Sequence, residues 1–376
     1  MAMNKPINTE KFSAWLEIDR GAILNNVSRL IEISGKPVMA VVKANGYGHG
    51  IVESAQAAVA GGATWCGVAR VEEGLTLREA GIACRILVMG FTPPAQVGEA
   101  VRHSLTLTVY DPQVAQEYVL QARQNNLKIQ LHVKFDSGMG RLGLFPESGL
   151  EFIRWLNAQP ELDVEGIFSH FARADEPEAD TTDWQIDRIN RLLSQLDAEG
   201  IRPRIVHSSN SAGILYHPAA RFDLVRSGIA IYGLDPSPEA PLPEGFLPAL
   251  TLKARLTSVK ELPAHYGVGY NYHYVTSQVE RVGVVSIGYA DGFRRRKGSM
   301  TLIRGKRVPV LGMVCMDQCM VTFEEVPEAQ VGDEVVLIGS QGDERLSIEE
   351  IAEDWGTNNY EIATSMANRL PRVYFD

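Results

Sequence analysis

The chain has 376 residues, 45% hydrophobic and 22% charged, with a formal net charge of −10, a globular profile too long for one ordinary core. The acidic balance argues against a nucleic-acid surface, and no apolar run approaches the roughly 18 residues of a membrane span. Met1–Lys11 lacks a signal-peptide core. Cys66, Cys84, Cys315 and Cys319 form no CxxC pair and have no histidine beside them. They read as free thiols of a reducing cytoplasm, with no metal site. Arg294-Arg295-Arg296-Lys297, the only dense basic run, reads as a solvated loop.

From Asp19, a plausible N-cap, Ile23, Leu24, Val27, Leu30 and Ile31 recur at helical spacing until Gly35. Strand-like runs then appear at Val38–Val42, Trp65–Ala69, Ile86–Met89, Leu105–Val109, Ile129–Phe135, Gly166–Phe168, Arg204–His207 and Leu224–Ile231. Helical patterns separate them at Ile51–Ala60, Glu72–Ala80, Pro94–Val101, Pro112–Gln124, Pro146–Asn157, Thr182–Glu199 and Ser211–Tyr216. Strands alternating with helices imply parallel pairing through helical crossovers. Eight such units suit a closed (β/α)8 barrel of about 250 residues better than an open doubly wound sheet.

After Leu234 the texture changes. A proline-rich linker, Asp235–Pro243, leads into strand-like Leu250–Val259, Arg281–Ile287, Thr301–Ile303, Val308–Val314, Cys319–Thr322 and Glu334–Ile338. Two helical patterns follow, Ser347–Trp355 and Tyr360–Asn368. The expected division is an α/β barrel over residues 1–240, whose first residues may pack with the second domain, and a mostly-β domain over 241–376.

The chemistry of such a barrel sits at the carboxyl ends of its strands. Lys43 follows the first, with Gly46, Tyr47, Gly48 and Gly50 after it. Arg141 closes the loop after the fifth, His170 follows the sixth, His207 and Ser211 the seventh, and Arg226-Ser227-Gly228-Ile229 the eighth. A lysine that is costly to bury charged moves toward neutrality, the state in which an amine attacks an aldehyde. The start of the helix at Ser211 and the amides of Gly228 and Ile229 offer an anion site. A nucleophilic lysine beside a phosphate cradle suggests pyridoxal 5′-phosphate held as a Schiff base on Lys43.

Ala-Val-Val-Lys43-Ala-Asn-Gly-Tyr-Gly-His-Gly resembles the cofactor-attachment motif of bacterial alanine racemases. The resemblance runs on through Lys134–Gly143, Ser169–Ala172, Asn210-Ser211, Arg226–Ile229, Gly288–Gly292, Cys315–Gln318 and Tyr360–Ile362, and so spans both domains. It implies a PLP-dependent racemase of alanine in the cytoplasm, supplying D-alanine for peptidoglycan. The alternatives are a racemase of another small amino acid such as serine, or a non-catalytic PLP-binding protein.

The resemblance also implies roles. Lys43 is the D-alanine-side base and Tyr270 the L-alanine-side base, although Tyr266-Gly267 offers a second Tyr-Gly pair. Arg295 supplies a cation beside that phenol, Arg226 faces the pyridine nitrogen, and His207 orients Arg226. His170 lies beside the ring, and Tyr47, Ser211, Gly228, Ile229 and Tyr360 bind the phosphate. Arg141, Tyr289 and the amide of Met316 contact the substrate carboxylate. Tyr270, Tyr289, Met316 and Asp317 would come from the partner subunit of a homodimer with shared sites. His132, Lys134 and Asp136 alternate onto one face of their strand. Lys134 would thus point into the barrel, where a carbamate formed with CO2 would anchor Arg141.

Overall fold

The computed structural model describes residues 9–376, so the reading of Met1–Lys11 lies, up to residue 8, outside the described residues. The chain forms two compact units, one of Ala22–Leu247 and the other of Pro248–Asp376 with the described residues before Ala22.

The first strand, β1 (Ala14–Asp19), belongs to the second unit. The next eight are β2 (Val38–Val41), β3 (Trp65–Val68), β4 (Arg85–Val88), β5 (Leu105–Val109), β6 (Ile129–Lys134), β7 (Leu162–Phe168), β8 (Ile205–His207) and β9 (Val225–Ser227). They pair in parallel in sequence order, and β9 returns to β2. Leu224 N–H to Val206 O at 3.3 Å and Arg226 N–H to Ser209 O at 3.1 Å bridge β8 and β9, closing the barrel. β2 and β3 are buried throughout because sheet and crossover helices shield both faces. Met39, Trp65, Leu87 and Leu224 pack together in the core.

Every expected crossover helix is present, with ends shifted by a few residues. Two strands differ from expectation. β7 begins at Leu162 rather than Gly166, its start masked by the charges of Asp163 and Glu165. β9 ends at Ser227 rather than Ile231, because the chain leaves the extended region at Gly228 (φ −106°, ψ −88°) and curls into a 3-10 turn, Ile229–Tyr232.

The second unit holds β10 (Leu250–Leu262), β11 (Gly267–Val268), β12 (Tyr274–Val275), β13 (Glu280–Val285), β14 (Met300–Ile303), β15 (Lys306–Leu311), β16 (Cys319–Thr322), β17 (Glu334–Gln341), β18 (Glu344–Leu346) and β19 (Arg372–Phe375). Nine strands form one sheet, in the order β18-β17-β14-β15-β16-β13-β10-β1-β19, and β10 also pairs with β17. The first residues, which could be expected to pack with the second domain, do so as a strand: Ala14–Ile18 of β1 pairs antiparallel with β10 and Leu16–Asp19 parallel with β19. Asp19 ends β1 directly before the helix Arg20–Ser34, and Gly35, at φ 62°, stops that helix.

The boundary falls at Leu247/Pro248 rather than at 240. The intervening segment is stitched to the helix Arg20–Ser34. The Asn26 amide exchanges hydrogen bonds with Leu247 O and N at 2.8 and 2.9 Å, and Asn25 and Arg29 donate to Gly245 O and Glu244 O at 2.8 and 2.6 Å. Among the described residues no helix is long and apolar enough to cross a membrane.

Candidate active site

Lys43 leaves β2 at its carboxyl end, and the next four residues wind the wrong way. Ala44, Asn45, Gly46 and Tyr47 have φ of 53°, 53°, 61° and 50°. Left-handed geometry costs roughly 1–2 kcal/mol for each non-glycine residue, so the neighbours must hold this turn in place. Glu73, in the first turn of the helix Val71–Glu79, accepts Ala44 N–H at 2.7 Å through Oε1; through Oε2 it accepts Ala69 and Arg70 N–H at 2.7 and 3.1 Å. Asn45 Oδ1 accepts Ile51 N–H at 3.0 Å, and His49 Nδ1 bonds Gly46 O and Tyr47 O at 3.1 and 3.0 Å. The turn therefore presents Lys43 rigidly. Burial, aided by the Arg141 charge, lowers its pKa, and among the described residues it enters no ion pair.

Arg226, on β9, is the hub of the rim. Its guanidinium donates to Ser169 O (2.7 Å), His207 O (2.9 Å), Ser208 O (3.0 Å), His207 Nδ1 (2.9 Å) and His170 Nδ1 (3.2 Å). Burial draws its pKa down to about 9, so it stays charged at neutral pH. Because arginine only donates, His207 Nδ1 carries a lone pair and its proton sits on Nε2. That proton is given to His132 Nδ1 at 2.8 Å, which leaves the His132 proton on Nε2, 3.7 Å from Glu165. Glu165 pairs with Arg85, and these partners hold its pKa near 2 although burial opposes them. Burial and the Arg226 charge keep His170 and His207 well below the usual imidazole range, hence neutral.

Lys134 is buried on β6, with Nζ donating to Phe135 O at 2.9 Å. Burial and then the Arg226 charge lower its pKa to about 7. Asp136, its obvious partner, is committed elsewhere. It accepts Gly138, Met139 and Arg141 N–H at 2.9, 2.7 and 2.9 Å and so shapes the loop that carries Arg141. Lys43, Lys134, Arg141 and Arg226 thus converge as four basic side chains, while the carboxylates of Glu73 and Asp136 serve backbone amides.

Tyr47 and the β9 turn fit closely. A Cβ on Gly228 would lie 2.4 Å from Tyr47 Oη, so only glycine permits this approach. Ser211 Oγ meets Ser227 Oγ at 3.1 Å and accepts Ala230 N–H at 3.3 Å. Ile231 N–H bonds Gly228 O at 3.1 Å, so the turn Ile229–Tyr232 is held with its start, Gly228, against the Tyr47 hydroxyl. A cradle of this kind beside an excess of cations fits a phosphate-bearing anion, and the unpaired amine of Lys43 fits its aldehyde.

The remaining expected residues lie on the second unit, in a different setting. Tyr270 is 63% and Met316 52% exposed, and both line a cavity of about 700 Å³ with Tyr266, Asp317 and Lys260. Gly288 lets two backbones touch, since a Cβ there would meet Met316 O at 2.2 Å. Tyr289 and Ala290 N–H donate to Cys315 O and Met316 O at 3.0 Å each. Arg294 and Arg296 bind the end of the helix Ile348–Trp355, at Trp355 O and Asp354. Arg295 enters no ion pair among the described residues, and its charge reaches Cys315. Tyr360 stands on the helix Asn359–Ser365.

The same chain is matched by the family models described as alanine racemase N-terminal domain, over residues 18–236, and alanine racemase C-terminal domain, over 249–374. The chain belongs to the alanine racemase family. It is 44% identical to the alanine racemase of Symbiobacterium thermophilum over 363 residues, 96% of either chain. It is 43% identical to that of Carboxydothermus hydrogenoformans, covering 96% of this chain and 99% of the other. Among solved structures, alanine racemase from Bacillus anthracis with bound L-Ala-P superposes with a TM-score of 0.91 at 40% identity, covering 97% and 95% of the two chains. The Streptomyces lavendulae enzyme gives 0.92 at 38% identity, covering 97% of each.

Membership leaves the supporting residues to be read from this chain. Glu73, His132, Glu165 and Arg85 escaped the sequence reading as partners. So did Arg369, which bridges Asp291 and Asp317 at 2.6 and 2.7 Å. Glu73 had a local signal, an acidic residue in a helix first turn. Arg369 had none, because its partners lie 78 and 52 residues away.

Proposed function

We propose that the chain interconverts L- and D-alanine using pyridoxal 5′-phosphate bound through Lys43, in a homodimer whose subunits share their sites. The observation that carries this reading is the half-buried Lys43 amine, in no ion pair among the described residues, at a cation-rich rim beside the Tyr47–Gly228 cradle. When bound, the cofactor supplies an electron sink for the charge left at Cα after proton removal.

Lys43, with its lowered pKa, accepts and returns the α-proton on the D-alanine side. Tyr270 of a second copy serves the L-alanine side, with the unpaired Arg295 as the cation that favours its ionised form. The exposed faces of Tyr270, Met316 and Tyr289 are what such a partner contact would cover. Arg226, charged and held by carbonyls and imidazoles, would hydrogen-bond the pyridine nitrogen without giving up its proton. That keeps the sink weak and restrains side reactions. Tyr47, Ser211, Gly228, Ile229 and Tyr360 would hold the phosphate, His170 would flank the ring, and Arg141, Tyr289 and the Met316 amide would take the substrate carboxylate.

Lys134 deepens the reading. With a pKa near 7 and no carboxylate partner among the described residues, its neutral amine can add CO2, forming an N–C bond and releasing a proton. The resulting anion would hold Arg141. A cytoplasmic role supplying D-alanine for peptidoglycan follows from the same activity.

Protein reconstituted with the cofactor should show an imine absorption band that borohydride abolishes, label Lys43 in the reduced digest, and racemise alanine faster than serine. A Lys43→Ala protein that keeps the reducible band, or serine turned over faster than alanine, would overturn the assignment.

A further inference from the structure

Cys66 on β3 and Cys84 just before β4 lie 18 residues apart in sequence, yet their sulfurs stand 3.5 Å apart. Neither touches the machinery described above. Cys66 is fully buried, whereas Cys84 is half-buried. A disulfide needs about 2.05 Å between sulfurs; Cys66 is in register with Ile86, two residues beyond Cys84, so closing the gap calls on the bend at Cys84 to move as well as on side-chain rotation. We propose that Cys66 and Cys84 are a dithiol modification site, oxidised to an intramolecular disulfide by hydrogen peroxide, with Cys84 the thiol that meets the oxidant.

The division of labour follows from the surroundings. The hydrogen-bonded contact between the two sulfurs, helped by the Arg78 charge, holds Cys84 below the usual thiol range, and the same contact with burial raises Cys66 well above it. Arg78 is fixed beside the pair, donating to Ile82 O, Cys84 O, His103 O and Ser104 O at 2.6–3.0 Å. A half-buried thiol of lowered pKa near a cation, with a resolving thiol in contact, is the arrangement that reacts reversibly with peroxide.

In the first step the Cys84 sulfur attacks one peroxide oxygen. The S–O bond forms, the O–O bond breaks, and the departing hydroxide takes a proton to become water. The Cys66 sulfur then attacks the Cys84 sulfur; S–S forms, S–O breaks, and hydroxide leaves with the Cys66 proton as a second water. The two sulfurs together lose two electrons, and peroxide gains them. The bond closes a loop around the helix Val71–Glu79, whose Glu73 carboxylate holds the Ala44 amide beside Lys43. It therefore staples the segment that secures the left-handed turn.

The test treats the full-length protein with hydrogen peroxide, alkylates remaining thiols and maps the digest by mass spectrometry. The expected product is a Cys66–Cys84 linked peptide lighter by two hydrogens, reversed by dithiothreitol, with Cys315 and Cys319 alkylated as before. Oxidised protein should melt at a higher temperature than reduced protein, and Cys66→Ala should trap a dimedone-reactive sulfenic acid at Cys84. Alkylation of both residues after peroxide, or sulfinic acid at Cys84 with Cys66 still a thiol, would overturn the proposal. The wild-type map decides it even if Cys66→Ala fails to fold.

Discussion

The barrel rim and the motif cluster of the second unit hold their polar residues in opposite ways. At the rim, Arg226, His207, His132 and Lys134 are buried; Arg226 and the two imidazoles share one hydrogen-bonded web, and Lys134 donates to Phe135 O. On the second unit Tyr270, Tyr289 and Met316 are exposed, although the backbone beneath them is fixed by Gly288 and Arg369. A buried polar web contributes to folding and to chemistry at once. Exposed residues on a rigid base contribute little to the unit's own stability. Substitutions should therefore separate the two regions by whether stability and activity fall together.

The largest effect is expected for Lys43→Ala, with kcat lowered by at least about 10³-fold and the imine band lost, measured by racemisation assay and absorbance. Tyr270→Phe follows, lowering kcat by about 10²–10⁴-fold while thermal unfolding shifts by no more than an ordinary surface change, within about 0.5 kcal/mol. A matching loss of stability would break the comparison. Arg226→Met should lose both, since it strips donors from three buried carbonyls and two imidazoles. Each acceptor left bare costs about 1–3 kcal/mol, to be read in urea unfolding curves.

Two smaller effects sharpen the picture. Lys134 has a folded-state pKa near 7 against 10.5 for a free lysine, so the unfolded chain binds more protons between those values. Its contribution makes cofactor-free stability rise with pH from about 7 to 10.5, and Lys134→Met should flatten that slope. Glu73→Ala should cost about 1 kcal/mol, like the loss of a helix cap, and release the turn after Lys43. Faster amide exchange at Ala44 in deuterium would report it.

Much of this was legible in the chain. Period-2 alternation put His132, Lys134 and Asp136 on one face, and Lys134 is indeed buried there. The glycines after Lys43 announced unusual backbone, but not that Ala44, Asn45 and Tyr47 would share it. The expectation of a carbamate on Lys134 rested on that alternation, and the strand pattern held no sign that Asp136 would give its carboxylate to the backbone amides of its own loop. β1 and β19 stayed hidden because their partner strands are remote in sequence, and local patterns carry no record of long-range pairing. Cys66 and Cys84 were met as separate thiols for the same reason.

The central claim is that a half-buried lysine and an exposed tyrosine act on opposite faces of one substrate. The most direct test follows uptake of solvent deuterium at Cα from each pure enantiomer of alanine by wild-type and Tyr270→Phe protein loaded with the cofactor. The account predicts that uptake from L-alanine collapses while uptake from D-alanine persists without inversion. Equal loss from both enantiomers, or undiminished uptake from L-alanine, would contradict it.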